Sequence, residues 1–166
     1  MEQAYPAEGF FDLTAQDLFK LACQQYEQFY HDQTPINAYL VSVTLFHLLD
    51  WLAKDGSSAH GKRDIEVKEA KDRSPEDELV LKIYGLDQFR AVISAANNAK
   101  HRKLENKYRP AYSKKRRRGA FAGITRAGDS LGTEFLILDV DGKEVWLRDA
   151  FGEVLEAYRE HFEGST

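Results

Sequence analysis

The spacing of apolar residues changes from a helical period to a period of two near residue 119, which divides the chain into a helical part and a sheet. Leu18, Leu21, Ala22, Gln25, Tyr26 and Phe29 recur at helical spacing behind Thr14, with Asp17 at the third position after this capping residue. The pattern predicts a first helix over 14–31. Thr34-Pro35 supplies a cap followed by proline at the first helical position, and it opens INAYLVSVTLFHLLDWLAKDG, which closes on Gly56. Ile36, Leu40, Val43 and Trp51 occupy one side of this second helix, and Val41, Leu45, Leu48, Leu49 and Leu52 the other. A helix apolar around nearly its whole circumference is expected at the centre of a bundle.

Asp55 to Pro75 is rich in glycine, serine and mixed charge, and reads as a loop with a short helical turn at Ile65–Ala70. Ser74-Pro75 restarts a helix ending at Gly85. A fourth helix runs from Leu86 to about Asn106, with Phe89, Val92, Ile93 and Ala96 on its core side. After Tyr108, RPAYSKKRRRG reads as a basic loop broken by Pro110. The alternating segments 119–127, 132–140 and 143–149 predict three strands, the last two joined by the hairpin signal Asp141-Gly142. Gly119, Gly123 and Gly132 mark the first strand as the least regular. A terminal helix over 150–163 takes Asp149 as its cap and Phe151, Val154, Leu155, Tyr158 and Phe162 as its apolar stripe. The expected fold is α+β and a single domain across 1–166. It comprises an antiparallel bundle of four main helices (14–106), a small three-stranded antiparallel sheet (119–149) and a C-terminal helix (150–163).

Composition narrows the classes. With 43% hydrophobic and 12% aromatic residues, a chain of 166 buries a core without covalent staples. Cys23 is the one cysteine, which excludes an intramolecular disulfide framework and a cysteine-based zinc site and fits a reducing compartment. No apolar run approaches the roughly 20 residues of a membrane helix, and the opening MEQAYPAEGFFDL is acidic where a signal peptide is basic. A soluble, cytoplasmic protein is expected. The net charge of −4 conceals an asymmetry: Lys100 to Arg118 holds ten Lys/Arg and one acid, a local +9, leaving −13 on the other 147 residues. A cationic stripe on an acidic body points to phosphate or an acidic partner.

The fourth helix carries the candidate chemistry. At about 100° per residue Arg90, Asn97 and His101 fall within about 20° of one line, so amide, imidazole and cationic groups stand where core residues are expected. On the second helix His47 lies within about 20° of Ile36 and Leu40, with Asp50 a turn away. Either His47 is a hydrogen-bonded core histidine, or His47 and Asp50 face the polar half of the fourth helix across a groove. Phosphate-loop, dinucleotide, HExxH, CxxC and GxSxG motifs are absent. DVDGKE lacks the ligand spacing of an EF-hand and is read as a turn, so no metal and no cofactor are expected.

Two long antiparallel helices followed by a helix bearing Asn97-Asn98-Ala99-Lys100-His101 resemble the HEPN superfamily of helical nucleotide-binding and ribonuclease domains. HLLDWL in the second helix, ANNAKH in the fourth and the Asp-Gly hairpin also resemble small uncharacterised bacterial and phage proteins. In active HEPN members an arginine stands a few positions ahead of the histidine; here Ala96 takes its place. The resemblance implies a histidine that moves the proton of a 2′-hydroxyl and an arginine that stabilises charge on the phosphate. Loss of such a donor costs about 3–4 kcal/mol of transition-state stabilisation. Arg90 stands about 16 Å along the helix from His101 and does not replace it.

The expected function is therefore that of a HEPN-like binding protein, with little or no catalysis, that recognises RNA or a nucleotide-type phosphate ligand. Asn97, Lys100, Arg102, Lys103, Lys107, Arg109, Lys114, Lys115, Arg116, Arg117 and Arg118 are the candidate phosphate contacts, with Tyr108 and Tyr112 available to stack on bases. Two alternatives stay open. One is a metal-independent endoribonuclease centred on His101 with His47 or Asp50 as its partner. The other is a phage- or defence-associated module that binds an acidic protein through the basic loop. A homodimer is compatible with each. The plain structural alternative for the basic run is a solvated loop.

Overall fold

The computed structural model describes residues 13–52, 65–100 and 114–164. Helix α1 spans Ala15–His31, and its start follows the sequence signal: the Thr14 hydroxyl accepts from the Asp17 N–H at 3.2 Å while the Asp17 carboxylate accepts from the Thr14 N–H at 3.0 Å. Helix α2 spans Pro35–Leu52 and packs on α1. The turn between them is held by Asn37, whose side-chain amide donates to the Asp32 carbonyl at 2.8 Å. Val41, Leu45, Leu48, Leu49 and Leu52 are buried as expected. The other side of α2 is not. Ile36 is 67% exposed, and Tyr39, Leu40, Trp51 and His47 also face outward. Among the described residues the neighbours of α2 approach it from one side, so an apolar circumference did not make this helix central there.

A single helical turn at 65–66 and a 3-10 turn at Ala70–Asp72 lead into α3, Pro75–Gly85, opened by a second capping box between Ser74 and Asp77. Helix α4 is Phe89–Lys100. It begins three residues later than its pattern suggests, because Leu86 is extended (φ −76°, ψ 125°) where it closes α3. The expected continuation to Asn106 lies outside the described residues.

The sheet is antiparallel in the order β1-β2-β3, with β1 Lys114–Arg118, β2 Glu134–Val140 and β3 Lys143–Trp146. Here the structure corrects two expectations. Lys114–Arg118 of the expected basic loop is a strand, paired Lys115↔Ile137, Arg116↔Leu136 and Arg117↔Phe135, while residues 109–113 of that loop lie outside the described residues. Residues 119–127, expected as the first strand, form turns. Gly119 sits at φ +130°, a conformation that side chains avoid, and it ends the extended segment just where apolar alternation begins. Lys and Arg have little intrinsic strand preference, but an edge position asks only for one row of ladder bonds, and the pairing with β2 decides the outcome. Asp141 (φ 52°) and Gly142 (φ 80°) make the two-residue turn from β2 to β3 that their sequence predicted.

Helix α5, Leu147–Glu163, leaves β3 without a loop. Asp149 is therefore in its first turn and not its cap, and Trp146 holds the cap position. Where β3 turns into α5, Leu136 of β2 loses a strand neighbour, and the Gln33 side-chain carbonyl accepts its N–H at 3.2 Å. Phe151, Val154, Leu155 and Tyr158 of α5 fill the space between helices and sheet, with Phe29 against Phe151 at a ring separation of 5.2 Å. The Tyr158 hydroxyl, fully buried, donates to the Leu45 carbonyl at 2.9 Å. Gly152 leaves room for Tyr26, whose hydroxyl would stand 2.6 Å from a Cβ there and which donates to the Arg148 carbonyl at 3.1 Å.

Residues 119–133 cross the sheet face opposite the bundle, and a buried cation ties them down. Arg148 is 1% exposed, yet its Nη1 reaches both carboxylate oxygens of Asp129, at 2.8 and 3.0 Å, and its Nη2 donates to the Ile124 carbonyl. The guanidinium lies 4.6 Å from the Tyr30 ring centre and 4.9 Å from that of Phe135. Its hydrogen bonds to Asp129 hold that carboxyl below the usual carboxylate range.

Candidate nucleic-acid interface

The pairing of β1 settles where its cations face. Side chains of paired residues share a sheet face, so Arg116 and Arg118 lie with Leu136 and Glu134 on the bundle side, while Arg117 lies with Phe135 and Trp146 on the far side. All three arginines are exposed. Arg116 is 3.5 Å from Glu134, and Arg117 donates to Glu144 at 2.8 Å with its guanidinium 5.9 Å from the Trp146 ring centre. Among the described residues β1 pairs with β2 alone and is an edge of the sheet. Same-face cations recur about every 6.8 Å along it, two residues of strand rise, a spacing of the same order as that of phosphates on an extended nucleic-acid strand. Charge on an edge strand also keeps that edge from pairing with another sheet, a structural use of the same residues.

Beside the free edge of β3 lies a cleft of about 360 Å³ between the hairpin, the start of α4 and the first turn of α5. Trp146 is among its lining residues, its indole packed against Phe121 and Phe135 at ring separations of 5.2 and 5.5 Å, and Asp87, Asp141, Glu144 and Asp149 supply carboxylates around the cleft. Three of these acids meet arginines from three separate elements: Asp141 with Arg90, Glu144 with Arg117, and Asp149 with Arg126 at 3.4 Å. Arg117 thus joins the cationic strand to the cleft.

The other candidates are distributed as follows. Arg90 donates to Asp141 on the hairpin and so joins α4 to the sheet. Ser94 is buried, its hydroxyl donating to the Arg90 carbonyl at 2.8 Å, and Asn97 is half-buried further along α4. His47 is on the exposed side of α2, so it is not the core histidine of the plain reading; its Nδ1 is 3.2 Å from an Asp50 carboxylate oxygen within the same helix. α2 and α4 meet through Phe46 and Phe89, stacked with centres 6.4 Å apart. His101, Arg102, Lys103, Lys107, Tyr108, Arg109 and Tyr112, and the side chains of Lys100, Lys114 and Lys115, lie outside the described residues. Among the described residues no cluster of three or more His, Cys, Asp or Glu is placed to hold a metal ion, and no helix is long and apolar enough to cross a membrane.

Sequence reasoning missed Trp146 and the Arg148–Asp129 pair. For Arg148 a signal exists: it falls about 20° from Leu155 on the helix wheel, a cation on the apolar line of α5. For Trp146 there was none, because the cleft is made by a strand-to-helix junction that the pattern placed three residues later. Comparison of the chain with protein-family models, curated proteins and solved structures finds no match.

Proposed function

We propose that this protein is a non-catalytic, HEPN-like cytoplasmic binding protein that recognises single-stranded RNA through β1. The observation that carries the reading is the folding of Lys114–Arg118 into an exposed edge strand, which turns a run of charge into a regular row of cations on an acidic body. Phosphate contacts of this kind release counterions, and the resulting affinity is largely indifferent to sequence. Position 96 supports the absence of catalysis. Ala96 is 5% exposed, so an arginine there would point into packed side chains and not toward a substrate. His47 supports it as well, since the Asp50 carboxylate it meets belongs to its own helix on an open face, a poor setting for a water-excluded proton transfer.

The test is fluorescence anisotropy of a labelled single-stranded RNA. Arg116→Gln/Arg118→Gln is expected to weaken binding roughly tenfold at low salt, from the loss of two phosphate contacts. Lys20→Gln, an exposed cation on α1, is expected to leave affinity unchanged. Full affinity in the double variant would overturn the assignment of binding to β1.

A further inference from the structure

The outer face of α2 is apolar where a solvated helix face is polar. Ile36, Leu40, Val43, His47 and Trp51 fall within an arc of about 80° at about 100° per residue, with Tyr39 beside them. Ile36 is 67% exposed, Tyr39 45%, Leu40 37% and Trp51 40%. On side chains of roughly 200 Å² each, these fractions leave about 400 Å² of apolar surface along about 22 Å of helix. Monomers rarely expose a contiguous patch larger than a few hundred Å². Each partner in a standard interface contributes about 800 Å², somewhat over half of it apolar, so the stripe supplies most of the apolar area that such an interface needs.

Charge and spacing select the occupant. Helix α2 carries one formal charge, Asp50, on a chain whose residues outside the basic run total −13, so this is a face on which two copies meet without like-charge repulsion. We infer that α2 packs against α2 of a second copy of the chain, antiparallel, across a two-fold axis beside Val43. The stripe is self-complementary in that orientation: Ile36 lies opposite the partner's Trp51, Leu40 opposite the partner's His47, and Val43 beside the partner's Val43. The two Asp50 carboxylates then stand about 20 Å apart along the helix axis, over two Debye lengths of about 8 Å, whereas a parallel pair sets them face to face. The inference is independent of the reading of β1. It sets His47 against an apolar side chain and not a phosphate, in keeping with a non-catalytic protein.

Sedimentation equilibrium across the micromolar range is the test, and wild type is expected to pass from monomer to dimer. Ile36→Lys and Trp51→Glu are each expected to weaken dimerisation about 100-fold, because symmetry applies each change twice at about tenfold apiece. Val67→Lys, a like change at a residue 83% exposed outside α2, is expected to leave the equilibrium unaltered. An equimolar mixture of the Ile36→Lys and Trp51→Glu chains is expected to pair at least about tenfold more tightly than either alone, since antiparallel packing sets opposite charges together at one end and leaves the other end native. Diluted to the monomer, Ile36→Lys and wild type are expected to share one urea midpoint. A wild type that stays monomeric at every concentration would overturn the dimer; a lowered urea midpoint in Ile36→Lys would then assign the face to another part of the same chain, and an unchanged one to a different protein. A dimer that both variants leave intact would overturn the choice of surface. Dissociation in both variants without recovery in the mixture would overturn the antiparallel pairing.

Discussion

Removing the carboxylate of Asp129 leaves a buried cation without its counter-charge. Arg148 is 1% exposed and the Asp129 side chain 7%, so neither group is hydrated, and the bidentate geometry at 2.8 and 3.0 Å is what makes burial of both tolerable. Breaking such a pair from one side costs about 3–5 kcal/mol. A folded domain is stable by only about 5–15 kcal/mol, so Asp129→Ala removes a large share of the total. For a chain of this length that loss lowers the melting temperature by about 6–20 °C. Urea denaturation followed by circular dichroism gives the free energy, and Arg126→Ala is the control. Arg126 meets Asp149 across 3.4 Å at the surface, where a pair contributes about 1 kcal/mol or less. The double variant Arg148→Met/Asp129→Leu is expected to regain much of the single-variant loss, since apolar residues replace a buried ion pair well. The pair also predicts an acid limb. Because Arg148 holds Asp129 below its unfolded value of 3.8, the stability from this carboxylate is full above about pH 4. It is lost as pH falls through the lower folded value, and Asp129→Asn is expected to lack that component. A loss under about 1 kcal/mol in Asp129→Ala, or identical acid limbs for wild type and Asp129→Asn, would refute the reasoning.

Other consequences are tested in the same way. Ser74→Ala removes the hydroxyl that accepts from Asp77 N–H and is expected to cost about 1 kcal/mol in urea denaturation. Ile36→Lys is expected to change stability by less than about 0.5 kcal/mol, because the residue is 67% exposed; a larger loss would mean that this face of α2 is covered. Tyr158→Phe deletes a buried hydroxyl bonded to the Leu45 carbonyl and is expected to cost about 1 kcal/mol. Burial, assisted by Asp149, pushes the Tyr26 phenol up to about 12 from the usual 10.0. The stability linked to it is full below about pH 10 and lost as pH rises toward 12, and ultraviolet difference spectra of wild type and Tyr26→Phe separate its titration from the other tyrosines.

The helical part was legible because its signals are local. Thr14 with Asp17, and Ser74 with Asp77, satisfy helix ends using neighbours three residues away, and both boundaries fall within a residue of expectation. Asp141-Gly142 was equally plain, since its backbone angles belong to the two residues themselves. The sheet was misread where long-range pairing overrides local preference. Lys114–Arg118 has the composition of a solvated loop, and only its partner strand makes it extended. GAFAGITRA has a strand-like alternation that Gly119 and Gly123 interrupt at positive φ. Periodicity reported correctly that α2 is apolar on all sides, but it carries no information on how many neighbours arrive to cover it. The candidate site divides in the same way. The cations of β1 were found from charge alone, whereas the cleft depends on Asp87 ahead of α4 and on Glu144 and Trp146 of β3, two segments that meet only through the fold.

The most direct test of the account is the salt dependence of binding to a short single-stranded RNA. Plotted as the logarithm of the association constant against the logarithm of salt concentration, phosphate contacts from the three exposed arginines of β1 predict a slope of about −2, and Arg116→Gln/Arg118→Gln predicts about −0.7. A slope close to zero, or one that the double variant leaves unchanged, would contradict the claim that this strand meets nucleic acid.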